Sequence, residues 1–282
     1  MITLIEFIRS VIIGIVQGIS EWLPISSKTQ IIISSQYLLN LTYSQAYTFG
    51  LFMEVGTILA AIIYFRKDVI KILKALVGRG SRQDRNLLIY VIIATVVTGI
   101  IGVPLYLIAD SITGVVAGIP MLVIGAVLIV DSIVIRYSRK RVGIGNGKRF
   151  DKLSVRDYLL IGGLQGVSAL PGVSRSGITT SALLVLGIEP DEAFRLSFLI
   201  GIFATSAAFA MTVLISRANV VASLAGMGIE GLVVATIVAT IISLLLIDFL
   251  IKIAGKAKIV YVTAGLGILA IAFGFIYLIF HI

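Results

Sequence analysis

A polar segment that recurs 148 residues later, inside otherwise apolar sequence, constrains this chain more than any other feature. The first copy occupies residues 14–20 (GIVQGIS), and the second occupies residues 162–168 (GGLQGVS). Polar, glycine-interrupted segments in corresponding halves of a membrane protein mark a binding site at the interface of internal repeats. The duplication therefore predicts one membrane domain, 1–282, built from a first repeat at 1–140 and a second at 141–282.

Composition supports the membrane class, because 59% of the residues are hydrophobic and only 13% are charged. The chain has no Cys and a single His, so nothing in it suggests disulfides, thiol chemistry or imidazole catalysis. The formal net charge of +9 could indicate a nucleic-acid partner. The position of the charge argues for membrane topology instead, and no nucleic acid is expected.

Six apolar stretches are long enough to cross a bilayer: 46–65, 87–109, 115–135, 195–215, 229–251 and 259–280. Two strongly basic segments follow the first and third of them, with net charges of +5 at 66–85 and +6 at 136–157. Lys and Arg concentrate on the cytoplasmic side of membrane proteins. Both basic loops are therefore predicted to be cytoplasmic, and the segment 110–114 between them is predicted to lie outside.

Two further apolar regions, 1–40 and 155–188, carry the duplicated polar segment in their middle. Neither region offers about 20 uninterrupted apolar residues, so each is predicted to form a re-entrant hairpin of two short helices. One hairpin and three spans per half give an all-α fold of two inverted repeats with six spans and about ten helices. The hairpin tips would meet near the midplane, and the first hairpin would open outward.

The tip of the first hairpin combines polar side chains with a helix break. Gln17 and Glu21 are four residues apart and share one helix face. Pro24 ends that helix, and Ser26 or Ser27 can cap the next helix, which is expected to run to about Leu39.

The tip of the second hairpin has a similar organisation. Pro171 and Gly172 break the chain, and Ser174 or Ser176 can cap the helix that follows, to Leu186. Two helix N-termini then face one another and present free N–H groups, which favours an anion.

Lys28 and Arg175 add positive charge at the two tips. Arg offers a fork that suits bidentate phosphate contact, and Lys offers a point charge. Two intramembrane carboxylates, Glu21 and Glu54, could hold a divalent cation such as Mg²⁺ beside that anion. The alternative is that Glu21 forms a structural ion pair with Lys28 or Arg175.

Three stretches resemble the undecaprenyl pyrophosphate phosphatase family, also called the bacitracin-resistance BacA family. They are residues 14–27 (GIVQGISEWLPISS), 171–177 (PGVSRSG) and 54–60 (EVGTILA). The resemblance implies a multi-pass enzyme of the cell membrane whose active site opens to the outer face. Such an enzyme removes the terminal phosphate of a polyprenyl diphosphate with Mg²⁺ or another divalent cation such as Ca²⁺, and so recycles the lipid carrier.

The resemblance also assigns roles to residues of this chain. Glu21, Ser27 and Arg175 would be catalytic, and Glu21 and Glu54 would hold the metal. The diphosphate would be bound by Gln17, Ser26, Lys28, Gln30, Ser174, Ser176 and Gly177. The family commonly has Glu at position 17 and His at position 30, whereas this chain has amides there. An amide cannot act as a general base, so the nucleophile is left open between Ser27 and a water molecule.

A different class of function is also compatible with the pattern. Inverted repeats with opposed hairpins are typical of alternating access, so a flippase or transporter of polyprenyl phosphate without hydrolysis is the main alternative. An anion channel built on the same helix dipoles is a third. The expected partners are the polyprenyl diphosphate lipid and the bilayer, with a homodimer as a further option.

Overall fold

The computed structural model describes residues 2–111, 118–142, 147–170, 172–215, 217–254 and 259–280. These residues form eleven α-helices and a short 3-10 helix at Phe150–Lys152, which confirms the all-helical prediction. The helices are α1 (Leu4–Ser20), α2 (Ser27–Leu39), α3 (Tyr43–Tyr64), α4 (Arg66–Leu76), α5 (Arg82–Ser111), α6 (Gly118–Val142), α7 (Val155–Val167), α8 (Arg175–Val185), α9 (Pro190–Ile215), α10 (Arg217–Ala254) and α11 (Ile259–Phe280).

Five helices are long and apolar enough to cross a membrane, and they correspond to five of the six predicted spans. Their spanning parts are Gln45–Tyr64, Arg82–Ile108, Pro190–Met211, Met227–Ala254 and Val260–Ile279. The sixth predicted span, 115–135, falls on α6, where the apolar part among the described residues is the shorter stretch Met121–Ile133. The helix α10 bends at Gly228, whose φ of 73° leaves the helical range, and the predicted span at 229 begins directly after it.

The segment 66–85, predicted as a loop, contains the helix α4. This helix brings the number of α-helices to eleven, above the ten or so that were expected. A helix forms there because Asp68, Ile72 and Ala75 recur at three- and four-residue spacing and are buried on one face. Asp68 is bonded by Arg195 of α9 at 2.6 and 3.1 Å, which ties α4 to the bundle. The basic residues around Asp68 make this periodicity hard to recognise in the sequence.

The first copy of the duplicated segment packs closely against α10. A side chain at Gly14 would place its Cβ 2.6 Å from the Ala235 carbonyl oxygen, and one at Gly18 would come within 2.8 Å of Ile242 Cβ. Only glycine permits such an approach of two helix backbones.

The second copy packs in the same way against α5. A Cβ at Gly162 would lie 2.7 Å from the Ala94 carbonyl oxygen, and one at Gly166 would lie 2.8 Å from Ile101 Cβ. The glycines of the two contacts are 148 residues apart, and their partner residues are 141 residues apart. The two helix crossings therefore repeat each other residue by residue.

Candidate active site

Glu21 lies at the centre of the site and accepts hydrogen bonds from three side chains. It is the C-terminal cap of α1, where Gln17, one turn earlier, donates from Nε2 to Glu21 Oε2 at 3.1 Å, as their spacing predicts. The Ser27 hydroxyl donates to the same oxygen at 2.8 Å. Arg175 Nη2 donates to Glu21 Oε1 at 2.8 Å. Both hairpins thus contribute to one carboxylate.

The Arg175 guanidinium is held in a buried position at the first residue of α8. Its side chain is 7% exposed and that of Glu21 is 3% exposed, so this ion pair is shielded from water. Trp22 lies under the guanidinium, 5.7 Å from the ring centroid, and the Ser197 carbonyl accepts from Nη1 at 3.5 Å. A Cβ at Gly201 would overlap the guanidinium, so a larger residue at this position of α9 would displace the Arg175 side chain from where it lies. Arg175 Nε is buried without a hydrogen-bond partner.

A second ion pair joins the first hairpin to α3. Lys28 Nζ lies 3.5 Å from Glu54 Oε1 and also donates to the Ser168 carbonyl at 3.4 Å. Glu54 is 2% exposed, and its Oε2 is buried without a partner. Two acids and two bases therefore meet here with no net formal charge. The sequence had left open which base pairs with Glu21, and the structure assigns Arg175 to Glu21 and Lys28 to Glu54.

The two hairpins bond to each other through serine hydroxyls and backbone groups. The Gly172 N–H donates to Ser26 Oγ at 3.2 Å and to Thr29 Oγ1 at 2.9 Å. In return, Ser174 Oγ donates to the Leu23 carbonyl at 3.2 Å, and Ser176 Oγ donates to the same oxygen at 3.4 Å. Serines of both tips therefore fasten each tip to the backbone of the other tip.

The capping predictions have different outcomes for the two tips. Ser174 caps α8, because its hydroxyl accepts from the Gly177 N–H at 3.2 Å. Ser26 holds the N-cap position of α2 with a φ of 56°, which is uncommon for a residue with a side chain, and makes no capping bond. Its hydroxyl bonds to the other hairpin instead. Pro171, predicted to break the second hairpin, lies outside the described residues.

A cavity of about 120 Å³ opens beside the two ion pairs. Lys28, Glu54 and Arg175 line it, whereas Glu21 and Ser27 lie behind them and do not. The wall also contains polar residues that the sequence reasoning did not select, namely Thr98, Gln165 and Ser168. Gln165 donates to Thr98 Oγ1 at 2.9 Å, and its Oε1 is buried without a partner. The signal that could have found Gln165 was its position as the duplicate of Gln17.

The predicted site residues therefore divide into two groups. Those around the ion pairs form two bonded sets that meet at the cavity, one of Gln17, Glu21, Ser27 and Arg175 and the other of Lys28 and Glu54. Those at the contact between the hairpin tips or within a turn are Ser26, Gln30, Ser174, Ser176 and Gly177. Gln30 donates to the Ile25 carbonyl at 3.1 Å and does not line the cavity.

Glu21 and Glu54 are the carboxylates at this site that could hold a divalent cation. Within the described part of the chain, no three His, Cys, Asp or Glu side chains converge as a metal site would require. Mg²⁺ is commonly held by one or two carboxylates together with substrate phosphates. The unpartnered Glu54 Oε2 fits that smaller ligand set, whereas both oxygens of Glu21 already accept hydrogen bonds.

Comparison with known proteins gives a consistent result. The profile of the family "Bacitracin resistance protein BacA" matches residues 10–275. An undecaprenyl-diphosphatase of Saccharolobus solfataricus is 49% identical over 265 residues, which cover 94% of each chain. A protein of the same name from Sulfurisphaera tokodaii is 48% identical over 93% of this chain and 94% of its own. Another, from Pyrobaculum aerophilum, is 41% identical over 95% of this chain and 97% of its own.

Proposed function

The chain belongs to the bacitracin resistance protein BacA family, and from that premise we propose that it hydrolyses undecaprenyl diphosphate to the monophosphate and inorganic phosphate. One observation carries the assignment to this site. The Glu21 carboxylate accepts from the Ser27 hydroxyl and from the Arg175 guanidinium at once, each at 2.8 Å. A hydroxyl bonded to a base, beside a buried guanidinium, is an arrangement suited to phosphoryl transfer.

We propose that Ser27 is the nucleophile and Glu21 its general base. Ser27 Oγ attacks the terminal phosphorus, and its proton passes to Glu21. The bond from that phosphorus to the bridging oxygen breaks, and undecaprenyl monophosphate leaves with the proton that Glu21 returns. Water then attacks the phosphorus of the phosphoserine and gives a proton to Glu21. The bond between that phosphorus and Ser27 Oγ breaks, inorganic phosphate leaves, and Glu21 returns the proton to Ser27 Oγ.

Charge that develops on the transferring group is balanced by fixed cations in this proposal. Arg175, whose Nε has no hydrogen-bond partner, and Lys28 both line the cavity. The N-termini of α2 and α8 add the positive ends of two helix dipoles. A diphosphate that enters competes with Glu21 for Arg175 and with Glu54 for Lys28. Binding therefore draws Arg175 away from Glu21 and opens a route from the cavity to Ser27, which does not line the cavity.

Glu54, with Glu21 beside it, would hold Mg²⁺ or another divalent cation such as Ca²⁺. When bound, such an ion supplies Lewis-acid stabilisation of phosphate charge. The proposal for Glu54 rests on its buried, unpartnered Oε2 in the cavity wall.

The two amides that depart from the family pattern leave this chemistry intact. Gln17 donates to Glu21 Oε2 and so holds that carboxylate in position beside Ser27. Gln30 donates to the Ile25 carbonyl and so braces the turn before α2. Neither contact replaces the bond between Ser27 and Glu21.

We also propose that the chain consists of two inverted repeats, 1–140 and 141–282, that exchange their hairpins. Support comes from the matched glycine contacts of α1 on α10 and α7 on α5, and from the reciprocal bonds between the hairpin tips. The basic segments 66–85 and 136–157 would face the cytoplasm, and the first hairpin would open to the outer face. A homodimer stays a prediction.

The test is phosphate release from undecaprenyl diphosphate by purified protein in detergent. We expect release by the wild type and none above background from the Glu21→Ala, Arg175→Ala double variant. Absence of any difference between the two would refute the proposal. Translocation of a polyprenyl phosphate headgroup across vesicles without hydrolysis would favour the transporter alternative.

A further inference from the structure

The cavity has a charged end and an apolar end, as a site for an amphiphile requires. Its apolar wall is built by two helices, each contributing residues at three- and four-residue spacing from one face. The wall of α5 includes Gly99, Gly102 and Val103, and the wall of α9 includes Ala204, Ala208 and Met211. Most of these residues are small, and the part of the cavity that lies between them is called here the gap between α5 and α9.

The gap reaches the outer surface of the helix bundle. Met211, which is 37% exposed, and Ala207, which is also exposed, both line the cavity. Both helices carry candidate membrane spans, so this surface faces the bilayer. A ligand with its headgroup at Lys28, Glu54 and Arg175 therefore has a continuous apolar path sideways into the lipid.

The corresponding contact in the other half of the molecule is closed. There the Thr240 hydroxyl of α10 donates to the Gly56 carbonyl of α3 at 2.9 Å. Thr240 lies 141 residues after Gly99, the same separation that relates Ala94 to Ala235. Where one half has a hydroxyl that fastens two helices together, the other half has a glycine that leaves them apart.

The space around Gly99 also leaves room for a larger side chain. A Cβ added there meets no atom within 4 Å, so a substituent would extend into the gap without a clash. Gly265 of α11 shares this property and does not line the cavity. The chain thus offers a matched control at a helical glycine outside the site.

From these observations we infer that the polyprenyl tail of the substrate leaves the site through the gap between α5 and α9, with Gly99 keeping that path open. The inference rests on the proposed function for the identity of the headgroup. The occupant of the gap is the apolar chain attached to a diphosphate, because the charged end of the cavity suits the diphosphate and the apolar end opens to lipid.

The kinetic test compares Gly99→Leu with Gly265→Leu. We expect Gly99→Leu to raise KM for undecaprenyl diphosphate by at least about tenfold, as the loss of contacts of about two methylene groups implies. Inhibition by inorganic diphosphate, which has the headgroup and no tail, should keep its wild-type constant. Gly265→Leu should leave both values unchanged. A wild-type KM in Gly99→Leu, or an equal loss of inorganic diphosphate binding, would overturn the inference.

Photocrosslinking provides a readout that does not need hydrolysis. A polyprenyl monophosphate with a diazirine on its first isoprene units should label residues 99–108 and 204–211 of the wild type. Gly99→Ala, which adds one methyl group, should fold normally and reduce that labelling. Labelling confined to other helices would overturn the tail path even if the enzyme is active, whereas correct labelling without phosphate release would contradict only the proposed function.

Discussion

Neutralising Glu21 while keeping its shape tests the centre of the proposed site. In Glu21→Gln, an amide oxygen can still accept from Arg175, but the charge that balances the guanidinium is gone. Arg175 and Glu21 are 7% and 3% exposed, so water cannot replace the missing charge. The Ser27 hydroxyl also loses its charged acceptor at 2.8 Å and with it the base that would take its proton.

The structure gives the size of both effects. Removing one partner of a buried ion pair typically costs about 3–5 kcal/mol of folding stability. Because the amide oxygen still accepts from Arg175, we expect this variant to lose about 3 kcal/mol, the low end of that range. A positioned general base contributes about 10²–10⁴-fold in rate. We therefore expect a clear fall in Tm together with a loss of kcat of that order.

The assay measures phosphate release from undecaprenyl diphosphate, and thermal unfolding of the same samples in detergent. The matched control is Asp68→Asn, which removes the carboxylate bonded by Arg195 at 2.6 and 3.1 Å and does not touch the cavity. This control should lower Tm and keep kcat. Inorganic diphosphate should raise the Tm of Glu21→Gln more than that of Asp68→Asn, because its charge can compensate Arg175.

One outcome would refute the reasoning. If Glu21→Gln loses stability as expected but keeps kcat within about tenfold of the wild type, then Glu21 only neutralises Arg175 and is not the base.

Three further predictions concern the nucleophile, the metal and the duplicated glycines. Ser27→Ala should lower kcat by about 10²-fold or more with a stability change of about 1 kcal/mol, and near-normal release would assign the attack to water. Chelation of divalent cations should abolish phosphate release, and added Mg²⁺ should restore it. Glu54→Gln should weaken the binding of Mn²⁺, measured directly. Activity that resists the chelator would contradict the metal proposal. Gly18→Leu and Gly166→Leu should lower Tm by similar amounts, because each places a side chain against an isoleucine of the facing helix; a loss in only one of them would contradict the repeated geometry.

Much of the fold followed from local patterns in the sequence. The apolar length of a span, the four-residue spacing of Gln17 and Glu21, and the capping serine Ser174 each depend on a few neighbouring residues. The duplicated segment pointed to the two tips, and the tips do meet. The helix α4 was missed because its buried face includes Asp68, whose burial depends on Arg195, 127 residues away.

The pairing of charges was decided by the tertiary structure. Lys28 and Arg175 were equally plausible partners for Glu21 in the sequence, since neither is fixed relative to it by local helix geometry. The contact of the two hairpin tips places Arg175 on Glu21 and leaves Lys28 to reach Glu54. Such a choice depends on how distant helices approach, which the spacing of residues along one helix does not specify.

The sequence by itself determined the class of molecule, the helices of the two hairpins and the set of chemical groups at their tips, because length, hydropathy and capping act locally. Only the tertiary structure decided which of those groups touch, that Gln165 and Thr98 join the cavity wall, and that Gly99 borders a gap while Thr240 closes one. The physical reason is that a helix face becomes a site only through the helix packed against it. In this protein that partner comes from the other half of the chain.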